Sequence, residues 1–225
     1  MLNGKRHGKG TQIWPDGAKY IGKWNENKAE GFGKFLHIDG DWYEGEWKND
    51  KANGHGTYVH FNGARYEGNW LDDFQEGYGI EEWKDGSSYE GFYKGGKKYG
   101  HGKYLWPNGS VYEGNWIDNK ISGSGIFKWD DGREYVGEWK DNFMHGTGIH
   151  SWKDGRRYEG IYFLTGEYHL DMKHGFGRYT WADGRVYEGQ WFDGKQHGEG
   201  KYILPNNHVQ MGVWEKGKRI RWIIE

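Results

Sequence analysis

The sequence predicts an all-β protein: a single-layer, elongated antiparallel sheet of about nine stacked β-hairpins. Three features predict it, namely a Tyr-Glu-Gly-x-Trp phrase that recurs every 23 residues, a Gly-x-Gly pair in the same register, and an Asp-Gly or Asn-Gly turn between them. A short period that fills a whole chain is typical of repeat proteins, in which each unit packs only on its neighbours.

The tyrosine of the phrase marks the units. It recurs at steps of 23 residues, apart from one step of 29, and the last position holds glutamine. The positions are Tyr20, Tyr43, Tyr66, Tyr89, Tyr112, Tyr135, Tyr158, Tyr187 and Gln210. We therefore predict one repeat array over residues 1–225, with a six-residue insertion around residues 158–169 and a C-terminal cap around residues 218–225.

Each unit is predicted to be a β-hairpin, because two short runs rich in aromatic and β-branched residues flank each turn. Proline at the start of some turns, as in residues 15–17, favours a three-residue loop whose glycine has a positive φ. In the third unit that loop pairs Tyr58 with Tyr66, so the rings of both strands lie on one face. Gly56 and Gly68 pair in the same register and leave room for rings to lie over the backbone.

The composition excludes several other classes of protein. Hydrophobic residues make up only 34% of the chain and aromatic residues 19%, which fits a thin sheet held by rings better than a globular core. The sequence has neither a transmembrane stretch nor a signal-peptide core, so we expect an intracellular protein. It contains no cysteine, which excludes disulfides, and its net charge of -2 argues against nucleic acid as a partner.

The stretch YEGEWKNDKANGHGTYVHFNGARYEGNW, residues 43–70, resembles the MORN repeat, the membrane occupation and recognition nexus motif. Nine successive units match it, so the resemblance covers nearly the whole chain. The resemblance implies a twisted, half-open sheet, or open half-pipe, with roles in scaffolding, partner docking and membrane junctions. It also implies a cytoskeletal or ciliary location, such as an axoneme or a radial spoke.

No catalytic, cofactor or metal site is predicted. The histidines near the Gly-x-Gly pairs recur with the repeat and bring no second ligand at the spacing of a metal site. Repeated glutamates such as Glu44 and Glu67 would stand about 10 Å apart, as a solvated ladder and not as an acid–base pair. We therefore expect a protein that is not an enzyme and uses no cofactor.

The candidate partner-binding residues are rings near the turns of the middle units. We predict that they form a stripe on which a helix or an extended segment of a protein partner docks. They are Trp83, Tyr104, Trp106, Phe127, Trp129, Trp152, Tyr179 and Trp181. Glu81 and His150 replace a ring in this pattern, and the segment 163–169 is expected to gate one end of the groove.

Two other functions stay open at this point. The first is a peripheral membrane module that binds anionic phospholipid weakly through basic clusters. The clusters are Lys94, Lys97, Lys98 and Lys103, and Lys216, Lys218, Arg219 and Arg221. The second is the MORN segment of a larger phosphoinositide kinase, which the family resemblance allows. Acidic residues are interspersed among these basic ones, so we favour the scaffold.

Overall fold

The computed structural model describes residues 1–163 and 172–223. Within these residues every regular element is a β-strand, and 19 strands belong to one antiparallel sheet in which each strand pairs with its neighbours in the chain. The first strand, β1, and the last, β19, each have one strand partner, so the sheet is open. The predicted all-β sheet of consecutive hairpins is confirmed.

The chain divides into two compact units. The first contains Met1–Pro107 with Trp116–Asn119, and the second contains Asn108–Asn115 with Lys120–Glu225. The strands from the start of the chain are β1 (Gly8–Ile13), β2 (Lys19–Asn25), β3 (Lys28–Leu36), β4 (Trp42–Lys48), β5 (Lys51–Val59), β6 (Arg65–Leu71), β7 (Phe74–Glu82), β8 (Ser88–Lys94) and β9 (Lys97–Leu105). They continue as β10 (Val111–Ile117), β11 (Lys120–Lys128), β12 (Glu134–Lys140), β13 (Phe143–Ser151), β14 (Arg157–Phe163), β15 (Met172–Thr180), β16 (Val186–Phe192), β17 (Lys195–Ile203), β18 (Val209–Glu215) and β19 (Lys218–Ile223).

The hairpin turns have the predicted three-residue loop. Between β5 and β6 the His60 N–H donates to the Ala64 carbonyl oxygen at 2.8 Å, and the Gly63 N–H donates to the His60 carbonyl oxygen at 2.9 Å. Gly63 has a φ of 92°, in the left-handed region that glycine adopts without strain. Tyr58 and Tyr66 therefore stand opposite each other, as predicted.

Successive hairpins are joined by tighter turns followed by a bulge. Between β4 and β5, Gly45 stands opposite Gly56 while Trp47 stands opposite Ala52, so β5 has two more residues than β4 within this interval. Gly54 lies in the bulge with a φ of 65°. The bulge therefore changes which residues of the two strands face each other.

The ring face of the sheet, which carries the tyrosines of the repeat phrase, takes the place of a core. These repeat tyrosines are at most 4% exposed, and they are Tyr20, Tyr43, Tyr66, Tyr89, Tyr112, Tyr135, Tyr158 and Tyr187. The ring of Tyr112 lies over Gly114 of its own strand and Gly125 of the next, where any Cβ would overlap the phenol. Its hydroxyl donates to the Asn115 carbonyl oxygen at 3.0 Å. The rings therefore occupy the space that the glycines leave because they have no side chain.

Strand-end tryptophans complete this packing. Tyr43 makes edge-to-face contacts with Trp47 and Trp70, at centroid distances of 5.1 and 5.2 Å. Trp47 Nε1 donates to the Gly33 carbonyl oxygen of the preceding strand at 3.0 Å. Aromatic pairs in this geometry contribute about 0.5–1.5 kcal/mol beyond their buried area, so the rings hold neighbouring hairpins together.

The predicted insertion lies between β14 and β15. Their pairing has a bulge after Gly160 and continues as far as Phe163 opposite Met172, whereas β4 and β5 are separated by two residues only, Asn49 and Asp50. The extra residues thus fall within 164–171, outside the described residues, as does nearly all of the predicted gate at 163–169. That gate stays a prediction.

The predicted C-terminal cap includes β19, with residues 224–225 outside the described residues. On β19, Trp222 stands opposite Gly212, where the earlier strands place a second glycine. Its ring lies 6.1 Å from that of Trp214 at nearly a right angle. The glycine pattern therefore ends at this strand.

Candidate functional site

A second set of rings on the ring face lies just before the hairpin turns. These turn tryptophans are half-buried, and they are Trp14, Trp83, Trp106, Trp129, Trp152 and Trp181. The backbone of Trp129 helps to close its turn, since the Trp129 N–H donates to the Arg133 carbonyl oxygen at 2.9 Å and the Gly132 N–H donates to the Trp129 carbonyl oxygen at 3.1 Å. Turn geometry thus places the indoles at the end of each hairpin.

In the first unit, three of the predicted partner-binding residues come together. The ring of Tyr104 lies 5.5 Å from that of Trp83 and 4.5 Å from that of Trp106. All three side chains keep part of their surface exposed. They form a continuous aromatic patch at the end of this unit's hairpins.

In the second unit, the other five predicted residues also contact rings near the turns. Phe127 lies 4.5 Å from Trp129, Trp152 lies 6.1 Å from Tyr179, and Tyr179 lies 4.9 Å from Trp181. Tyr179 is 9% exposed and is therefore the most buried of them. The remaining four are half-buried, so they combine fixed positions with accessible surface.

His150 fills what the sequence presented as a gap in the aromatic pattern. Its imidazole stacks between Trp129 and Trp152, with interplanar angles of 11° and 7°. Burial, together with the nearby Arg133 and Lys173, lowers the pKa of His150 to about 4. The neutral imidazole is thus a flat ring in the patch. Its planarity is the feature from which this role could have been predicted.

Arginines that the sequence analysis did not single out cover part of the turn tryptophans. The Arg133 guanidinium lies 4.9 Å from the centroid of Trp129, and its Nε donates to Asp131 Oδ2 at 2.8 Å. Arg156 and Arg185 repeat this arrangement at Trp152 and Trp181. The motif that could have revealed it is Trp followed by Asp-Gly-Arg across the turn. The patch in the second unit therefore combines aromatic rings with arginines that are paired to aspartates of the turns.

The second and third hairpins differ at the same place, because His37 and His60 replace the tryptophans. Asp41 is buried there and accepts hydrogen bonds from the Tyr58 hydroxyl at 2.5 Å, His60 Nδ1 at 3.0 Å and the Phe61 N–H at 2.9 Å. The Tyr58 and Phe61 hydrogen bonds lower the pKa of Asp41 below its usual value. This part of the first unit is polar and acidic.

Lys98 of the first unit lies on the ring face with its own counter-ion. Its Nζ is 3.5 Å from Glu81 Oε2 and lies 4.8 Å from the Trp83 ring centroid and 5.0 Å from that of Tyr89. The Tyr93 hydroxyl donates to the same Glu81 oxygen at 2.9 Å. Burial lowers the pKa of Lys98, and Glu81 opposes this shift. The charge is balanced within the unit.

Lys173 occupies the equivalent place in the second unit, since each lysine is the second residue of its strand. Its Nζ lies among four rings, with centroid distances of 4.3 Å to Tyr179, 4.9 Å to Tyr158, 5.0 Å to Trp191 and 5.5 Å to Trp152. We call these four rings the Lys173 cage. Burial, reinforced by Arg156, lowers the pKa of Lys173 to about 8.

Residues 1–163 and 172–223 provide neither a metal-binding cluster nor a membrane-spanning helix. Within this part of the chain, no group of three or more His, Asp or Glu side chains is arranged to hold a metal ion. The same residues contain no helix that is long and apolar enough to cross a membrane.

The chain has known structural relatives but no match among curated protein sequences. It is similar to the wild-type TCP10 domain of Danio rerio CPAP, with 13% identity and a TM-score of 0.49 over 95% of this chain and 99% of that one. It is also similar to the SAS-4 TCP domain of Drosophila melanogaster in complex with a proline-rich motif of Ana2, with 17% identity and a TM-score of 0.37 over 67% of this chain and 88% of that one. At these TM-scores neither likeness carries an argument about function.

The family model of the MORN repeat matches the sequence nine times. The matched segments are residues 1–19, 20–42, 43–65, 66–88, 89–111, 112–132, 135–156, 165–184 and 187–209. These matches cover most of the chain and follow the unit spacing described above. The chain therefore belongs to the MORN repeat family.

Proposed function

We propose that this protein is a non-enzymatic scaffold that docks a helix or an extended segment of a protein partner on its ring face. The observation that carries the proposal is the patch of half-buried rings around Trp129, Trp152 and Trp181 in the second unit. Rings held by stacking lose little conformational entropy on binding, and exposed aromatic patches of this kind are typical of interaction sites. The patch of Trp83, Tyr104 and Trp106 supports the same proposal in the first unit.

The proposed location follows from the family resemblance. We place the scaffold in the cytoplasm, in a cytoskeletal or ciliary assembly such as an axoneme or a radial spoke. Recovery of axonemal or other cytoskeletal subunits with the protein from its native source would support this location. Recovery of soluble metabolic enzymes alone would contradict it.

The basic clusters support the scaffold more than the lipid alternative. Lys98 points into the rings and pairs with Glu81, and Lys97 Nζ lies 3.6 Å from Asp118 Oδ1. Lysines that are paired with carboxylates of the chain in this way add little to the net charge that an anionic membrane attracts.

The test is capture of partners from an extract of the native source by the immobilised protein, with quantitative mass spectrometry. Trp106→Ala and Trp129→Ala should each reduce capture at least about tenfold, as expected for central aromatic contacts. Phe176→Ala is the matched control, because Phe176 is an exposed ring between Gly175 and Gly177 on the opposite face. Circular dichroism should show that all three variants keep the fold.

Two outcomes would contradict the proposed binding face. Capture could survive both tryptophan substitutions and be lost in Phe176→Ala, which would assign binding to the opposite face. Alternatively, salt-sensitive flotation of the isolated protein with phosphatidylserine vesicles, without any protein captured, would favour the membrane module.

A further inference from the structure

The lysines at two equivalent positions of the ring face differ in how their charge is balanced. At Lys98 the balancing residue is Glu81, which stands eight residues before the repeat tyrosine Tyr89. The residue eight before Tyr158 is His150, which burial keeps neutral, so it offers Lys173 no negative charge. The same repeat position therefore carries a carboxylate beside one lysine and an uncharged ring beside the other.

The surroundings of Lys173 add positive charge. The turn position that is Ser87 between β7 and β8 is Arg156 between β13 and β14, and this arginine disfavours the charged form of Lys173. Asp154 pairs with Arg156 at 2.7 Å. Within residues 1–163 and 172–223, no carboxylate lies within ion-pairing distance of Lys173 Nζ. The rings of the cage stabilise the ammonium only in part, because cation–π contacts replace water incompletely.

We infer that Lys173 is the anchor for a carboxylate of the docked partner segment, an Asp or Glu side chain flanked by apolar residues. This inference rests on the proposed function and specifies the chemistry of the partner. The rings of Trp152 and Tyr179 contact the apolar flanks of the segment, and the carboxylate takes the place that Glu81 fills at Lys98. Charged groups interact more strongly where water is excluded. The ion pair between Lys173 and the partner's carboxylate therefore favours one register of the segment over others.

The repeat supplies substitutions that should keep the fold. Lys173 is the second residue of β15. The second residue of β13 is Met144, and that of β17 is Gln196. Lys173→Met and Lys173→Gln therefore introduce side chains that this position already accepts. The double variant Lys98→Met with Glu81→Gln is the matched control, because it removes a lysine whose carboxylate lies within the chain without leaving that carboxylate unpaired. Thermal melting should be recorded for each variant before binding is compared.

The probe is a library of random 16-residue peptides displayed on phage and selected on the full chain. We expect the parent protein to enrich peptides with apolar residues around one Asp or Glu at a fixed offset. Lys173→Met should lose the acidic preference, and Lys173→Glu should select Lys or Arg at the same offset. For a selected peptide, Lys173→Met should weaken binding about tenfold or more, whereas the double variant Lys98→Met with Glu81→Gln should change it less than about twofold.

Each other outcome counts against the inference in a distinct way. Peptides that bind the ring face without an acidic preference, or with one that Lys173→Glu leaves unchanged, would overturn the role of Lys173 and leave the scaffold proposal standing. Failure to enrich any peptide would overturn both proposals. Binding of phosphatidylcholine vesicles containing phosphatidylserine that Lys173→Met abolishes would assign the anion to lipid and overturn the choice of a protein carboxylate.

Discussion

The repeat tyrosines and the turn tryptophans lie on the same face of the sheet, yet they differ in what lies beneath the ring. Tyr112 covers two glycines, is fully buried, and donates its hydroxyl hydrogen to the backbone. Trp129 rests on His150 and beneath Arg133, and it keeps part of its surface exposed. A glycine beneath the ring therefore distinguishes the structural aromatic residues from the others. Rings that contact side chains instead of bare backbone are the ones available to a partner.

The sharpest test of this difference is Gly125→Val, for which we expect the largest loss of stability. The valine side chain would overlap the ring of Tyr112, and overpacking of this kind costs about 1–3 kcal/mol. Ser124→Val is the control, because Ser124 is exposed and lies on the opposite face. Urea unfolding should give a lower free energy of unfolding for Gly125→Val than for Ser124→Val. Equal stability would show that the rings do not need the glycines.

His150 shares features with both the repeat tyrosines and the turn tryptophans. It lies near a turn, yet it is buried like a repeat tyrosine. Its pKa in the folded protein is about 4, below the usual 6.5, so the unfolded chain binds the proton more tightly. The stability that this neutral imidazole contributes is present above pH 6.5 and is lost as the pH falls towards 4. From pH 6.5 to pH 5 the loss should be about 2 kcal/mol.

The measurement is the pH dependence of the free energy of unfolding in the parent and in His150→Phe. The phenylalanine keeps a ring between Trp129 and Trp152 but removes the titration, so its curve should be flatter over this range. Parallel curves for the parent and His150→Phe would mean that the imidazole is not held neutral.

The hairpins could be predicted from the sequence because their determinants are local. Pro15, Asp16 and Gly17 specify the turn, and the turn specifies the register of β1 and β2. The pairing of Lys98 with Glu81 could not be predicted in this way. It joins residues on β7 and β9, and it depends on the bulge between β8 and β9, where Gly91 and Tyr93 change register.

The arginines over the turn tryptophans could not be predicted for a related reason. Arg133 is a turn residue, and its place over Trp129 depends on the side-chain hydrogen bond to Asp131 and not on strand alternation. The sequence pattern shows His150 in place of a ring, whereas its imidazole itself stacks as a flat ring between Trp129 and Trp152. Composition and periodicity predict which face carries the rings. They do not predict how charged groups arrange themselves among those rings.

A smaller effect is expected from removal of a single hydroxyl. The Tyr135 hydroxyl donates to the Glu138 carbonyl oxygen at 3.1 Å, and Tyr135→Phe should lower stability by about 1 kcal/mol, the usual net contribution of one buried hydrogen bond. Tyr104→Phe is the control, because Tyr104 contacts turn tryptophans and lacks such a bond to the backbone of the described residues. If both variants melt at the same temperature, the tyrosine hydroxyls do not distinguish structural rings from binding rings.

The smallest effect on stability should come from Arg133→Ala. Arg133 pairs with Asp131 across one turn at the protein surface, and exposed ion pairs of this kind contribute about 0–1 kcal/mol. The substitution nevertheless uncovers one face of Trp129, because the guanidinium lies over that ring. We therefore expect the melting temperature to change little while the indole fluorescence becomes more accessible to acrylamide. Arg65→Ala is the control, since Arg65 pairs with Glu67 and Glu82 and not with a turn tryptophan. A large loss of stability in Arg133→Ala would mean that the turn tryptophans belong to the structural rings, and the contrast with the repeat tyrosines would fail.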